Sequence, residues 1–125
     1  MDFSVEQKGN TRFMYVLPTS KTEALLEYTL FSHQHLKTEE YENEIQQYIE
    51  KLGITNYEIV EKEQGSIPMT CYPFWKANTK NVLNIGTSGG WTKASTGYTF
   101  KNSDKKSREL VAFLQRETDF TKFHK

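Results

Sequence analysis

A single cysteine, Cys71, stands in the 125 residues, so no disulfide can form within the chain and no zinc site built on paired thiolates can exist. That usage fits a reducing compartment. Neither sign of charge is in excess: 16 Lys and Arg against 16 Asp and Glu leave a formal net charge of zero, which argues against a nucleic-acid-binding surface. No apolar run approaches the roughly 18 residues of a membrane span, and Met1-Asp2-Phe3-Ser4 lacks the basic and apolar regions of a signal peptide. The expected location is cytoplasmic, with peripheral contact to a membrane left open. The chain also has no G-x-S-x-G elbow, no G-x-G-x-x-G turn and no G-x-x-x-x-G-K-S/T loop. His33 and His35 have no cysteine or third histidine near them in sequence, so no metal site is expected. Cys71, beside Met69 and Tyr72, reads as a small core residue rather than a nucleophile.

What is present is one domain's length of rather polar chain, 36% hydrophobic with a mean hydropathy of −0.72. Its most distinctive stretch is NIGTSGGWTKASTGYTF, residues 84–100. Gly86, Gly89, Gly90 and Gly97 place four of the seven glycines there. The spacing predicts a buried strand Val82-Leu83-Asn84-Ile85, a glycine loop, and a helix from about Ser95 to Glu117 with Ser95 and Thr96 as N-cap residues. First-turn N–H groups of that helix would point at the loop, a seat for phosphate or another anion. A ligand-free strand-to-helix turn has the same pattern.

Ahead of the loop, Phe3, Val5 and Gln7 alternate up to a Lys8-Gly9-Asn10 turn, and residues 11–18 resume as a strand, so these two runs predict a β-hairpin. Residues 24–31, ALLEYTLF, predict a further strand with Leu25, Glu27, Thr29 and Phe31 on one face and Leu26, Tyr28 and Leu30 on the other. Glu27 stands out: if both faces are covered, burial would raise its pKa and suit it to proton donation, whereas on an edge strand it would face water. Tyr41, Ile45, Tyr48, Ile49 and Leu52 recur at helical spacing between Thr38 and Gly53, predicting an amphipathic helix at about 38–52 that covers the sheet, its glutamates solvated. Tyr57 to Glu61 alternates as another strand, residues 72–80 form an aromatic loop, and the ending after Glu117, TDFTKFHK, reads as frayed. The expected class is α+β: an antiparallel or mixed sheet covered by a helix, then the strand, glycine loop and helix.

FMYVLP at 13–18, LLEYT at 25–29, GSIPM at 65–69 and IGTSGGWTKASTGYTF at 85–100 resemble, in order and spacing, motifs of the lycopene cyclase family of flavoproteins. There the pieces read like F-x-Y-x-x-P, F-L-E-E-T, I-P-M-G and I-G-x-x-A/G-G-x-x-x-P-S-T-G-Y. The resemblance implies a glutathione-reductase-type FAD fold, with residues 1–75 as the end of the substrate domain and 76–125 as the returning segment that meets the flavin. It implies contact of Gly86, Ser88, Gly89, Gly90, Ser95, Thr96 and Gly97 with FAD, NAD(P)H serving as flavin reductant. Glu27 matches the first acid of F-L-E-E-T, implicated in protonating a carotenoid polyene or stabilising its cation. Aromatics such as Tyr15, Tyr28, Phe74 and Trp91 would add cation–π stabilisation or core packing. The implied reaction closes the end of an acyclic carotenoid by protonation and carbocation cyclisation, without net redox.

Three departures accompany the resemblance. Tyr28 replaces the second acid, Lys93-Ala94 stands before S-T-G-Y, and no G-x-G-x-x-G strand–helix unit is present. The expectation is therefore the C-terminal part of a longer enzyme, inactive alone, with surfaces meant for an N-terminal FAD domain exposed or satisfied by self-association. Two other readings remain open: a piece of another FAD-dependent oxidoreductase or monooxygenase acting on an apolar substrate, and a stand-alone isoprenoid-binding module.

Overall fold

The computed structural model describes residues 1–123. The chain divides into two compact units, Met1–Glu61 and Lys62 onward. In the first, strands β1 (Arg12–Pro18) and β2 (Ala24–Leu30) pair antiparallel, followed by helix α1 (Thr38–Lys51). The register opposes Met14 to Tyr28, Val16 to Leu26 and Tyr15 to Glu27. Alternation then sends Met14, Tyr28 and Leu26 to one face and Phe13, Tyr15, Glu27 and Thr29 to the other.

Helix α1 covers the first of these faces. Met14 is fully buried and packs with Tyr28 and Tyr48, and Val5, Leu26, Leu36, Tyr41 and Ile45 close around them. The spacing of Tyr41, Ile45 and Tyr48 explains the helix, whose polar side holds Glu39, Glu40, Glu42 and Glu50 in solvent. The backbone N–H of Lys37 donates to Glu40 Oε2 at 3.1 Å, satisfying a donor at the helix start. Gly53, at φ 74°, ends the helix as expected.

The predicted hairpin is displaced by one element. Phe3, Val5 and Gln7 form no strand; the N-terminal segment makes a single bridge, Asp2 to Met14. Gln7 is the reason. Its side-chain amide donates to the Arg12 carbonyl at 2.8 Å and accepts from the Arg12 N–H at 3.0 Å, engaging backbone groups that a ladder partner would need. The hairpin instead joins β1 to β2 through a loop in which the Thr19 N–H donates to the Glu23 carbonyl at 2.9 Å. Tyr57 to Glu61 is likewise no strand but exposed coil, with Val60 90% exposed; among the described residues nothing pairs with it, so its alternation buries nothing.

The second unit is built on turns and one helix. Short 3-10 turns occupy Phe74–Ala77, Gly86–Gly89 and Phe120–Lys122, and helix α2 spans Phe100–Leu114. Residues 82–85 are not the buried strand expected: Val82 and Ile85 are more than half exposed, and the Asn84 N–H is held by Asn78 Oδ1 at 2.9 Å rather than by a neighbouring strand. Helix α2 begins at Phe100, not Ser95, because Lys93 to Gly97 closes as a separate turn, with the Gly97 N–H donating to the Lys93 carbonyl at 2.9 Å. The polar run 101–106 is helical throughout. Cys71 is exposed rather than in a core.

The chain after Glu117 is anchored as far as Phe123, contrary to the frayed ending expected; the last two positions of that ending lie outside the described residues. Phe123 is buried, its carbonyl accepts from Asn78 Nδ2 at 3.2 Å, and its ring meets Phe113 edge-on at 5.3 Å. Glu117 holds the turn: its carboxylate accepts from Lys122 Nζ at 2.5 Å and from the Thr118 and Asp119 N–H groups, which depress its pKa to about 2. No helix among the described residues is long and apolar enough to cross a membrane.

Asp2 ties the N-terminus to α1. Its carboxylate accepts from the Ser4 N–H at 2.8 Å and from Tyr48 Oη at 2.8 Å, contacts that lower its pKa below the ordinary 3.8. A depressed carboxylate stabilises the fold above its unfolded pKa and loses that effect as pH falls through the folded value. Amide exchange around Asp2 and Met14 is therefore expected to accelerate below pH 3.8, and Asp2→Asn to remove this acid-dependent step. An unchanged profile in the variant would show that Asp2 does not make the tie.

Candidate functional site

Two groups of candidate residues lie one in each unit. In the first unit, Glu27 is exposed in the middle of the β2 face that α1 leaves uncovered. Its cross-strand neighbour is Tyr15. Around it the face is aromatic and aliphatic. Phe13 is buried beneath Phe3, Tyr15 and Phe31, with ring centroids 5.2, 5.0 and 6.0 Å away. Leu17 and Leu25, paired across the strands, extend the same face and are 54% and 42% exposed. Thr29, two residues along on the same side, donates its hydroxyl to Glu27 Oε1 at 2.5 Å. A carboxyl thus stands on a broad apolar surface, its position set by strand alternation and one hydroxyl.

Tyr28, where the motif has its second acid, faces the other way. It is buried against α1, its hydroxyl accepts from the Arg12 guanidinium at 3.1 Å, and its ring meets Tyr41 edge-on. Strand geometry therefore separates positions 27 and 28 onto opposite faces whatever residue occupies 28. Of the aromatics singled out in the sequence, only Tyr15 shares the Glu27 face; Phe74 and Trp91 belong to the second unit.

The glycine loop of the second unit curls on itself. The N–H groups of Gly89, Gly90 and Trp91 donate to the carbonyls of Ile85, Thr87 and Gly86 at 3.1, 3.1 and 2.9 Å. Gly86 and Gly90 adopt left-handed backbone, φ 58° and 72°. At Gly89 a Cβ would lie 2.3 Å from the Asn84 carbonyl oxygen and 3.0 Å from Trp91 Nε1, so only glycine fits. Thr92 Oγ1 reaches Thr87 Oγ1 at 3.2 Å and Thr99 Oγ1 at 3.0 Å, linking the loop to the start of α2. Ser88 and Ser95 are exposed, and Thr96 Oγ1 accepts from the Tyr98 N–H at 3.3 Å in the turn that ends at Gly97.

An open cavity of about 200 Å³ adjoins the loop, lined by Gly89, Gly90, Trp75, Trp91, Lys106 and Phe123 among others. Lys106 Nζ sits 5.8 Å from the Phe123 ring centroid and pairs with Glu109 at 3.0 Å. Lys106 and Phe123 carried no signal in the sequence as site residues, because helix periodicity and a chain end do not disclose that they meet.

A dinucleotide's pyrophosphate needs several free N–H donors converging at a helix start. In this loop three N–H groups are already bonded within the turn, and the helix begins ten residues beyond Gly90. The loop as folded does not fit that group, and its glycines are accounted for by its own geometry. Among the described residues no cluster of His, Cys, Asp and Glu is placed to hold a metal ion.

A family model described as lycopene cyclase protein matches residues 1–123. No curated protein and no solved structure matches the chain.

The close approach at Gly89 yields a stability prediction. Gly89→Ala is expected to lower unfolding free energy by about 1–3 kcal/mol in urea denaturation, since the backbone of Asn84 must move. Gly65→Ala, where a Cβ meets nothing within 4 Å, serves as the control and should change it by less than about 1 kcal/mol. Equal effects at the two positions would contradict the packing argument.

Proposed function

This chain belongs to the lycopene cyclase family, and from that premise we propose that it supplies the proton-handling face of an enzyme that cyclises the end of an acyclic carotenoid without net redox. The observation that carries the reading is the setting of Glu27: one exposed carboxyl on an apolar, aromatic face that α1 leaves uncovered. A polyene has no polar handle, so it must be held by area. Leu17, Leu25, Phe3 and Phe31 offer such area, and each buried methylene contributes roughly 0.8 kcal/mol.

Chemically, the cyclisation needs an acid, an apolar pocket and a base. The neutral Glu27 carboxyl delivers its proton to a terminal alkene carbon. The alkene's π pair forms the new C–H bond and leaves a tertiary cation. A neighbouring double bond attacks that cation to close the six-membered ring, and loss of a ring proton restores an alkene. Tyr15, beside Glu27 on the same face, presents its ring to the developing positive charge. Because Tyr28 is turned toward α1, Glu27 acts as the single acid of this face. Covering by substrate would exclude water and strengthen the attraction between the cation and the carboxylate that the departing proton leaves behind.

The family is generally flavin-dependent. FAD contact at Gly86, Ser88, Gly89, Gly90, Ser95, Thr96 and Gly97, within a glutathione-reductase-like fold completed by a dinucleotide-binding unit, is part of the proposal. It would require the glycine turn to release the hydrogen bonds it now holds. The steps above rest on this chain's own residues. Peripheral contact with a membrane, from which a carotenoid would be drawn, follows from the same reading.

The test is expression of the gene's whole product in a lycopene-accumulating cell, comparing wild type with Glu27→Gln by carotenoid chromatography. Wild type should yield a cyclised carotene, and the variant should lose at least about 100-fold of that product, the scale of general-acid catalysis. Undiminished cyclisation by the variant would remove Glu27 from the chemistry. Unchanged lycopene with wild type, while the protein retains bound apolar pigment, would favour an isoprenoid-binding role instead.

A further inference from the structure

We propose that Thr29 is a positioning residue for Glu27, fixing which carboxyl oxygen carries the transferred proton; the inference rests on the cyclase reading of Glu27 given above. A glutamate on an open strand face can swing through several rotamers, and its carboxyl can present either oxygen. Here the choice is removed. Residues 27 and 29 share a face because the strand repeats every two residues, and the Thr29 hydroxyl donates to Glu27 Oε1 at 2.5 Å. The backbone of Thr29 is itself fixed by pairing opposite Phe13, whose ring is buried, so the donor sits on a rigid part of the sheet.

The consequence concerns the proton. With Oε1 engaged by the Thr29 hydroxyl, the proposal places the acidic proton on Oε2, the oxygen that does not receive that bond. In the transfer step the Oε2–H bond breaks, the alkene π pair forms the C–H bond, and the electron pair of the broken bond stays on the carboxylate. Thr29 keeps its own proton throughout. The proton lost by the ring at the end returns to Glu27, so nothing is oxidised or reduced. As negative charge grows on the carboxylate, the bond from Thr29 becomes charge-assisted and stronger than it was to the neutral acid. An interaction that strengthens along the reaction coordinate accelerates it.

Three variants of the full-length protein, Thr29→Val, Thr29→Ser and Glu27→Gln, test the assignment. Thr29→Val preserves the branched shape and removes the hydroxyl. It should lower the cyclisation rate about 10- to 100-fold, the scale of a hydrogen bond to a charged group, with an unchanged melting temperature. Thr29→Ser should restore the rate to within about threefold of wild type, since the donor is back. The carboxyl carbon signal of Glu27 in the NMR spectrum should shift in the valine variant alone, a readout that does not need turnover.

A wild-type rate in Thr29→Val would overturn the positioning role, as would a serine variant as slow as the valine one. Full activity of Glu27→Gln would instead overturn the acid assignment on which it rests. If the valine variant fails to fold, the serine variant and the carboxyl signal decide the question: a Glu27 signal moved by serine as far as by a change of solvent exposure would sink the contact.

Discussion

Met14 and Tyr28 oppose one another across β1 and β2, and Tyr48 of α1 seals the pair from water. Much of the first unit depends on that contact. A two-stranded ribbon is marginal alone in water, so its apolar face must be covered, and α1 is the cover. Once residues 14 and 28 point at the helix, residues 13, 15, 27 and 29 must point away. The exposure of Glu27 is thus a consequence of burying Met14. A one-residue slip of register would turn the acid into the core and Tyr28 out of it, exchanging the roles of the two motif positions. Asp2, bonded to Tyr48 at 2.8 Å, and Lys8, paired with Glu44, fasten the N-terminal segment to the same helix.

The second unit is held differently. It has one helix and no sheet among its described residues, so its backbone groups are satisfied by turns and side chains. Asn78 is the centre of this arrangement. Its side chain accepts from the Asn84 N–H and donates to the Phe123 carbonyl, joining the approach to the glycine loop with the end of the described chain. The tight contact of Gly89 with the Asn84 carbonyl follows from that placement. The glycines are needed for the turn to close, and the cavity beside it is walled by what the turn and the C-terminal segment bring together.

Several features were legible from local pattern. Helix α1 was visible in the spacing of Tyr41, Ile45, Tyr48 and Ile49 and in Gly53, and β2 in its alternation, because both signals arise within a few residues of one another. The family was legible for a related reason, since four motifs in fixed order survive without any knowledge of pairing. The first hairpin was misplaced because Gln7 satisfies Arg12 with a side chain, a competition that periodicity does not register. Residues 57–61 and 82–85 carried strand patterns but no partner, and a strand is a property of two segments. The helix expected at Ser95 starts at Phe100, because Lys93 to Gly97 closed first as a turn.

By itself the sequence determined the α+β composition, the amphipathic helix, the membership of a family and the singularity of Glu27 among its carboxylates. These rest on residue identity and short-range spacing. Tertiary structure alone decided which face of β2 was covered, and so whether Glu27 met water or core. It also decided that Phe123 would be buried rather than loose. Each of these depends on which surface finds a partner, and burial is settled between segments, not within them.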